Sequence, residues 1–140
     1  MRYGTGVALV VDTSAWARQR HPKVAAHFRD TAQADLLVGC PVVALELLTT
    51  AKDEVEHGLL AKRLSSLRQA PITQGVCAAA LTASGELASA NQPRVPVADY
   101  LIAAAAAERG FGVLHYDHHY DTLADALGFE SVWIVPPGTI

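Results

Sequence analysis

The run Val7 to Trp16, reading VALVVDTSAW, constrains this chain more than any other stretch. Aliphatic and β-branched residues lead directly into Asp12, Thr13 and Ser14, which is how a buried parallel strand ends and passes the chain to a helix. Asp12 is therefore expected at the carboxyl end of a strand, the edge of an open α/β sheet where ligands bind. Asp, Ser and Thr are also good N-caps, so the same residues read equally as the cap of the helix that follows.

The chain downstream repeats the pattern. Basic residues Arg18, Arg20, Lys23 and Arg29 follow, with Pro22 dividing a short helix or turn from a second helix. They form a solvated face or, standing just after Asp12, contacts for phosphate. Leu36 to Gly39 is a short strand or link. Pro41 then opens a helix to Ala51 whose only charge up to Leu48 is Glu46. Such a helix is expected to be buried over most of its surface, leaving Glu46 as a carboxylate that needs a cation, a donor or a proton. An amphipathic helix over Asp53 to Arg68 comes next, with Ile72 as a brief edge strand. Gly75 to Ala90 makes a helix packing through small residues, and Asn91 to Pro96 is a loop.

A helix from Val97 to Arg109 is stopped by Gly110. It carries Asp99 in its first turn, on the same side as Ile102, Ala103 and Ala106. The helix dipole accounts for an acid there but not for its facing the packed side. Phe111 to Tyr116 is a second strand ending in an acid, Asp117, followed by His118, His119, Tyr120 and Asp121. A short helix, Thr122 to Leu127, ends at Gly128, and Ser131 to Val135 is the last strand. Alternating strands and helices imply a mostly parallel sheet with helices on both faces, a three-layer sandwich.

Composition narrows the function. Residues 1–140 are expected to form a single domain, long enough to bury about two-thirds of its unfolded surface. The chain is 51% hydrophobic and 18% charged, with no low-complexity segment. Cys40 and Cys77 are too few for a disulfide framework and have no CxxC spacing, so they read as small buried hydrophobes in a reducing compartment, with a structural disulfide between them as the alternative. No signal peptide is apparent after Arg2, and the apolar stretch Leu101 to Ala107 is too short to span a bilayer, so a cytoplasmic protein is expected. A net charge of −3 argues against a generic nucleic-acid coat but not against an enzyme that acts on nucleic acid.

Asp12, Glu46, Asp99 and Asp117 are thus expected to converge. Two carboxylates about 4 Å apart repel by roughly 4 kcal/mol at an effective dielectric near 20, so something positive must sit among them. Hard oxygen donors without thiolate select Mg²⁺ or Mn²⁺, which activate water in phosphodiester hydrolysis.

The segments VDTSAW, the ELL of VVALELL, VADYLIAAAAAERG and LHYDHHYDTLA together resemble the four signature segments of PIN-domain ribonucleases. More narrowly, they resemble the VapC toxins of bacterial type II toxin–antitoxin systems, over nearly the whole chain. The resemblance implies a PIN fold and a metal-dependent endoribonuclease acting on RNA. It makes Asp12, Glu46, Asp99 and Asp117 the acidic quartet, Asp121 a candidate outer ligand, and Ser14 the residue holding a carboxylate or a metal-bound water. It also implies a homodimer and a VapB-type antitoxin, assembled as a heterotetramer or larger. One departure is His119, where many relatives carry another acid. An imidazole there favours Mn²⁺ if it ligates; otherwise His118 and His119 are exposed loop residues. A non-catalytic PIN-like scaffold binding RNA or protein is the competing function. A phosphoacceptor domain fits less well, because Ser14 stands where such enzymes carry a second Asp.

Overall fold

The computed structural model describes residues 7–92 and 94–140. The Arg2 region therefore lies outside the described residues, as does Pro93 in the 91–96 loop. The elements run β1 (Leu9–Val11), α1 (Thr13–Trp16), α2 (Ala25–Gln33), β2 (Leu37–Gly39), α3 (Pro41–Leu48), α4 (Glu54–Ser65), β3 (Arg68–Gln69), α5 (Gln74–Ser89), α6 (Val97–Glu108), β4 (Gly112–His115), α7 (His119–Leu127) and β5 (Ser131–Trp133).

The five strands form one sheet in the order β3-β2-β1-β4-β5, and every pairing is parallel. Leu9 pairs with Leu37 on one side and Gly112 on the other, so β1 is central. The chain runs outward from β1 to β3, then returns to lay β4 on the opposite side. With right-handed crossovers, that reversal puts the connections before and after it on opposite faces of the sheet. Accordingly, α5 packs along α6 and both meet α7, while α3 packs on α1 and α4 and also reaches α6.

The apolar strand cores and the alanine-rich face of α6 make the buried interior: Val10, Val11, Val113, Leu114, Ile102 and Ala103 are essentially inaccessible to solvent. Small side chains let α6 approach the sheet closely, which carries Asp99 inward. Gly110 and Gly128 take left-handed φ values of 71° and 78°, where a side chain would be strained, and they end α6 and α7 as expected.

Three expectations are corrected. The edge strand is Arg68–Gln69 and not Ile72: Ala70 still donates its N–H to Gly39 O, but Pro71 has no N–H with which to continue the ladder. Helix α3 is not buried over most of its surface. Only Val43 is buried, and Leu45 and Glu46 are exposed, because α3 packs against α1, α4 and α6 and keeps its other side in water. Cys40 is buried as expected, but Cys77 is exposed on α5, and both are free thiols.

Candidate functional site

The point where the strand order reverses lies between β1 and β4, and crevices form outside the carboxyl ends of such strands. Asp12 follows β1 there and Asp117 follows β4. Asp12 fulfils both readings of its position. Its Oδ2 accepts the Ser14 N–H at 3.0 Å and the Ser14 hydroxyl at 2.5 Å, capping α1, yet the residue is only 5% exposed and faces inward. The Ser14 hydroxyl in turn accepts the Tyr116 N–H at 2.9 Å, tying the end of β4 to the start of α1.

Asp99, 8% exposed, enters from the first turn of α6. Between it and Asp12 stands Tyr120, which is fully buried. Its hydroxyl donates to Asp12 Oδ1 at 2.6 Å and lies 3.4 Å from Asp99 Oδ1. A phenol has one proton, so Asp12 receives the short bond and Asp99 the weaker contact. Burial and the two carboxylates push the Tyr120 pKa far above its ordinary value, so it is a permanent donor.

Asp117 Oδ1 accepts the backbone N–H of His119 at 3.0 Å. The His119 ring folds back over it, with Nδ1 3.0 Å from Asp117 Oδ1 and 3.2 Å from Asp99 Oδ2. Facing two carboxylates, this ring nitrogen carries the hydrogen, which it must give up to ligate a metal. His119 is thus a member of the cluster and not an exposed loop residue, whereas His118 is 77% exposed and only grazes Asp117 at 3.8 Å. Asp99, Asp117 and His119 can each offer a ligand atom within 4.8 Å of the others, a mixed oxygen and imidazole set that fits a divalent cation. Asp99 bears the electrostatic cost. Burial first, then Asp12 and Asp117, raise its pKa to about 6, against a smaller lowering by His119.

The remaining acids are placed differently. Glu46 is exposed at the rim, its Oε1 accepting the Thr13 hydroxyl at 2.9 Å. Asp121 is turned to β5, its Oδ1 accepting Ser131 Oγ at 2.6 Å and its Oδ2 accepting Trp133 Nε1 at 3.0 Å. Both its oxygens are engaged away from the Asp99 cluster.

Two residues escaped the reading of the sequence. Tyr120 was detectable as the residue three places after Asp117, where a helix returns a side chain to the same site. His115 was detectable as the one titratable group in a buried strand. It is fully buried between the rings of Tyr120 and Trp133. Because Ser131 Oγ donates to Asp121, it must accept from His115 Nε2, 2.7 Å away. That leaves His115 Nδ1 to accept the Asp117 N–H at 3.1 Å. The ring is therefore neutral, and burial lowers its pKa to about 4. The chain of bonds from Asp121 through Ser131 and His115 fixes the backbone on which Asp117 stands.

The sequence profile of the PIN domain matches residues 9–126. Ribonuclease VapC18 of Mycobacterium tuberculosis is 37% identical over 133 residues, covering 93% of this chain and 97% of that protein. Ribonuclease VapC51 of the same organism is 34% identical over 131 residues, covering 94% and 96%. Among solved structures, the DNA-bound VapBC complex of Salmonella typhimurium superimposes with a TM-score of 0.72. That match has 17% identity and covers 92% of this chain and 99% of that one, a likeness of fold. A parallel sheet with its acids at the reversal point, matched along its length by these relatives, places the chain in the PIN-domain family, within its VapC branch.

Proposed function

We propose that this chain is a metal-dependent endoribonuclease, the toxin of a type II toxin–antitoxin pair. The observation that carries the reading is the meeting of Asp12, Asp99 and Asp117 around Tyr120 and His119 at the sheet's reversal point, in a chain 37% identical to a ribonuclease VapC. Asp99, Asp117 and His119, with Asp12 beside them, would hold the cation. A cation bound there supplies a Lewis acid and a water of lowered pKa for attack on a phosphodiester.

The protein's own residues do the rest. Ser14 and Tyr120 hold Asp12 by both oxygens, so its charge stays aimed at the crevice. The His115 bond keeps Asp117 in register. Glu46, open to solvent and steadied by Thr13, is the group to orient the attacking water or accept its proton. Asp121 is assigned to bracing β5 and not to the metal. The oxygen donors suit Mg²⁺, and the His119 nitrogen tilts the set toward Mn²⁺.

The function carries with it a homodimer, a VapB-type antitoxin partner and a cytoplasmic setting. No helix of the described residues is long and apolar enough to cross a membrane. The test is cleavage of RNA by the purified chain. Cutting should require Mg²⁺ or Mn²⁺, stop with EDTA, and be lost in a folded Asp99→Asn variant. Full activity in that variant would overturn the proposal.

A further inference from the structure

RNA is a polyanion, and the crevice it must enter is lined by carboxylates, so the approach needs a positive group close to the acids. Most basic side chains with a defined contact are occupied elsewhere. Lys23 Nζ donates to Thr139 O at 3.1 Å, Arg68 pairs with Asp35 at 3.6 Å, and Arg63 lies over Trp16 and bonds Gln19. Arg18 is placed differently. Its Nη1 donates to Ser14 O at 2.8 Å, and its guanidinium carbon lies 4.6 Å from the centre of the Tyr116 ring.

Both partners of Arg18 belong to the site. Ser14 holds Asp12, and Tyr116 directly precedes Asp117 while giving its N–H to Ser14. Among the described residues no carboxylate pairs with Arg18. Tyr116 is itself fixed. Its hydroxyl donates to Ile140 O at 2.8 Å and accepts the N–H groups of Gly138 and Ile140, and its ring meets Trp133 edge-on. The guanidinium is therefore stacked on an anchored platform, with one N–H in use and most of its five donors available. An arginine held this way loses little further side-chain entropy when it forms a bidentate pair with phosphate.

We propose that Arg18 is a substrate-binding residue that takes a backbone phosphate of RNA flanking the scissile bond, with Tyr116 as the platform that holds its guanidinium in place. This rests on the ribonuclease reading above. The competing role for Arg18 is to cap α1 through Ser14 O, and a cap changes stability without changing how RNA binding responds to salt.

The experiment measures binding of a short single-stranded RNA by fluorescence anisotropy in EDTA, where the RNA stays whole, across a series of KCl concentrations. Steady-state cleavage with Mn²⁺ is measured alongside. One lost phosphate contact makes the plot of log K against log salt shallower by about 0.7. Arg18→Ala and Arg18→Gln should both show that change, with KM raised about tenfold and kcat within about twofold. Arg18→Gln can still bond Ser14 O, so it carries the prediction if the alanine variant folds poorly. Arg18→Lys should keep the salt slope while weakening binding, because it keeps the charge and loses the fork. A wild-type slope in both neutral variants, or a fall in kcat with KM unchanged, overturns the proposal. If the wild-type chain neither binds nor cuts RNA, the ribonuclease reading fails and this one with it. If it cuts and the slopes do not move, only the role of Arg18 fails.

Discussion

Replacing Tyr120 by Phe removes one oxygen from a fully buried position and leaves the ring packing in place. That oxygen donates to Asp12 Oδ1 at 2.6 Å and stands between Asp12 and Asp99. A hydrogen bond to a charged group contributes about 1.5–3 kcal/mol net, and its loss also leaves the two carboxylates facing each other without a donor between them. In EDTA at pH 7.5 the variant should be about 2 kcal/mol less stable, a fall in Tm of roughly 6 °C at about 3 °C per kcal/mol for a domain of this size. With saturating Mn²⁺ the loss should shrink to under about 1 kcal/mol, because a cation then neutralises the acids that the phenol had been separating. Urea unfolding followed by circular dichroism, run in parallel with EDTA and with Mn²⁺, reads both numbers. A loss below about 0.5 kcal/mol in EDTA, or an equal loss in both conditions, would refute the reasoning that Tyr120 manages charge at this site.

The pKa of Asp99 is raised in the fold to about 6, so the stability it contributes is present at low pH and is lost as pH rises through 6. Asp99→Asn in EDTA should therefore match wild type near pH 4 and exceed it by up to about 3 kcal/mol at pH 7, as read by denaturant unfolding; a difference that does not grow with pH contradicts the assignment. His115 has the opposite sign, since its lowered pKa gives stability above pH 6.5 that is lost as pH falls through about 4, and the Asn variant should expose that acid-side loss. Asp121→Asn turns an amide toward the donors Ser131 Oγ and Trp133 Nε1, and should cost about 1–2 kcal/mol with or without metal in the same unfolding assay. A thiol reagent should modify Cys77 rapidly in the native protein and Cys40 only on unfolding, because Cys40 is buried and its pKa is raised mainly by that burial.

The strands that bear the site were legible because each is an apolar run closed by an acid, and Asp99 because an alanine stripe can only face a sheet. Glycines at 110 and 128 marked two helix ends through the conformation they alone adopt cheaply. The edge strand Arg68–Gln69 was not legible: two exposed residues carry no periodicity, and their pairing is set by the backbone of Gly39. Nor was the half-exposed state of α3, since an apolar helix is buried only when neighbours exist to cover it. The places of His119 and Asp121 depended on which way a turn folds after Asp117. The family resemblance put Asp121 beside the acids and left His119 either a ligand or an exposed loop residue; the packing of β5 drew Asp121 away, and the approach of α6 gave His119 a second carboxylate.

The account stands on carboxylates from β1, α6 and the turn after β4 sharing one divalent cation, and Mn²⁺ titration followed by electron paramagnetic resonance reads this directly. Wild-type protein should remove free Mn²⁺ from the spectrum in a saturable way, give it back on adding Mg²⁺, and lose that capacity in folded Asp12→Asn, Asp99→Asn and Asp117→Asn variants alike. Undiminished binding in any two of these, or no binding by wild type at millimolar metal, would contradict it.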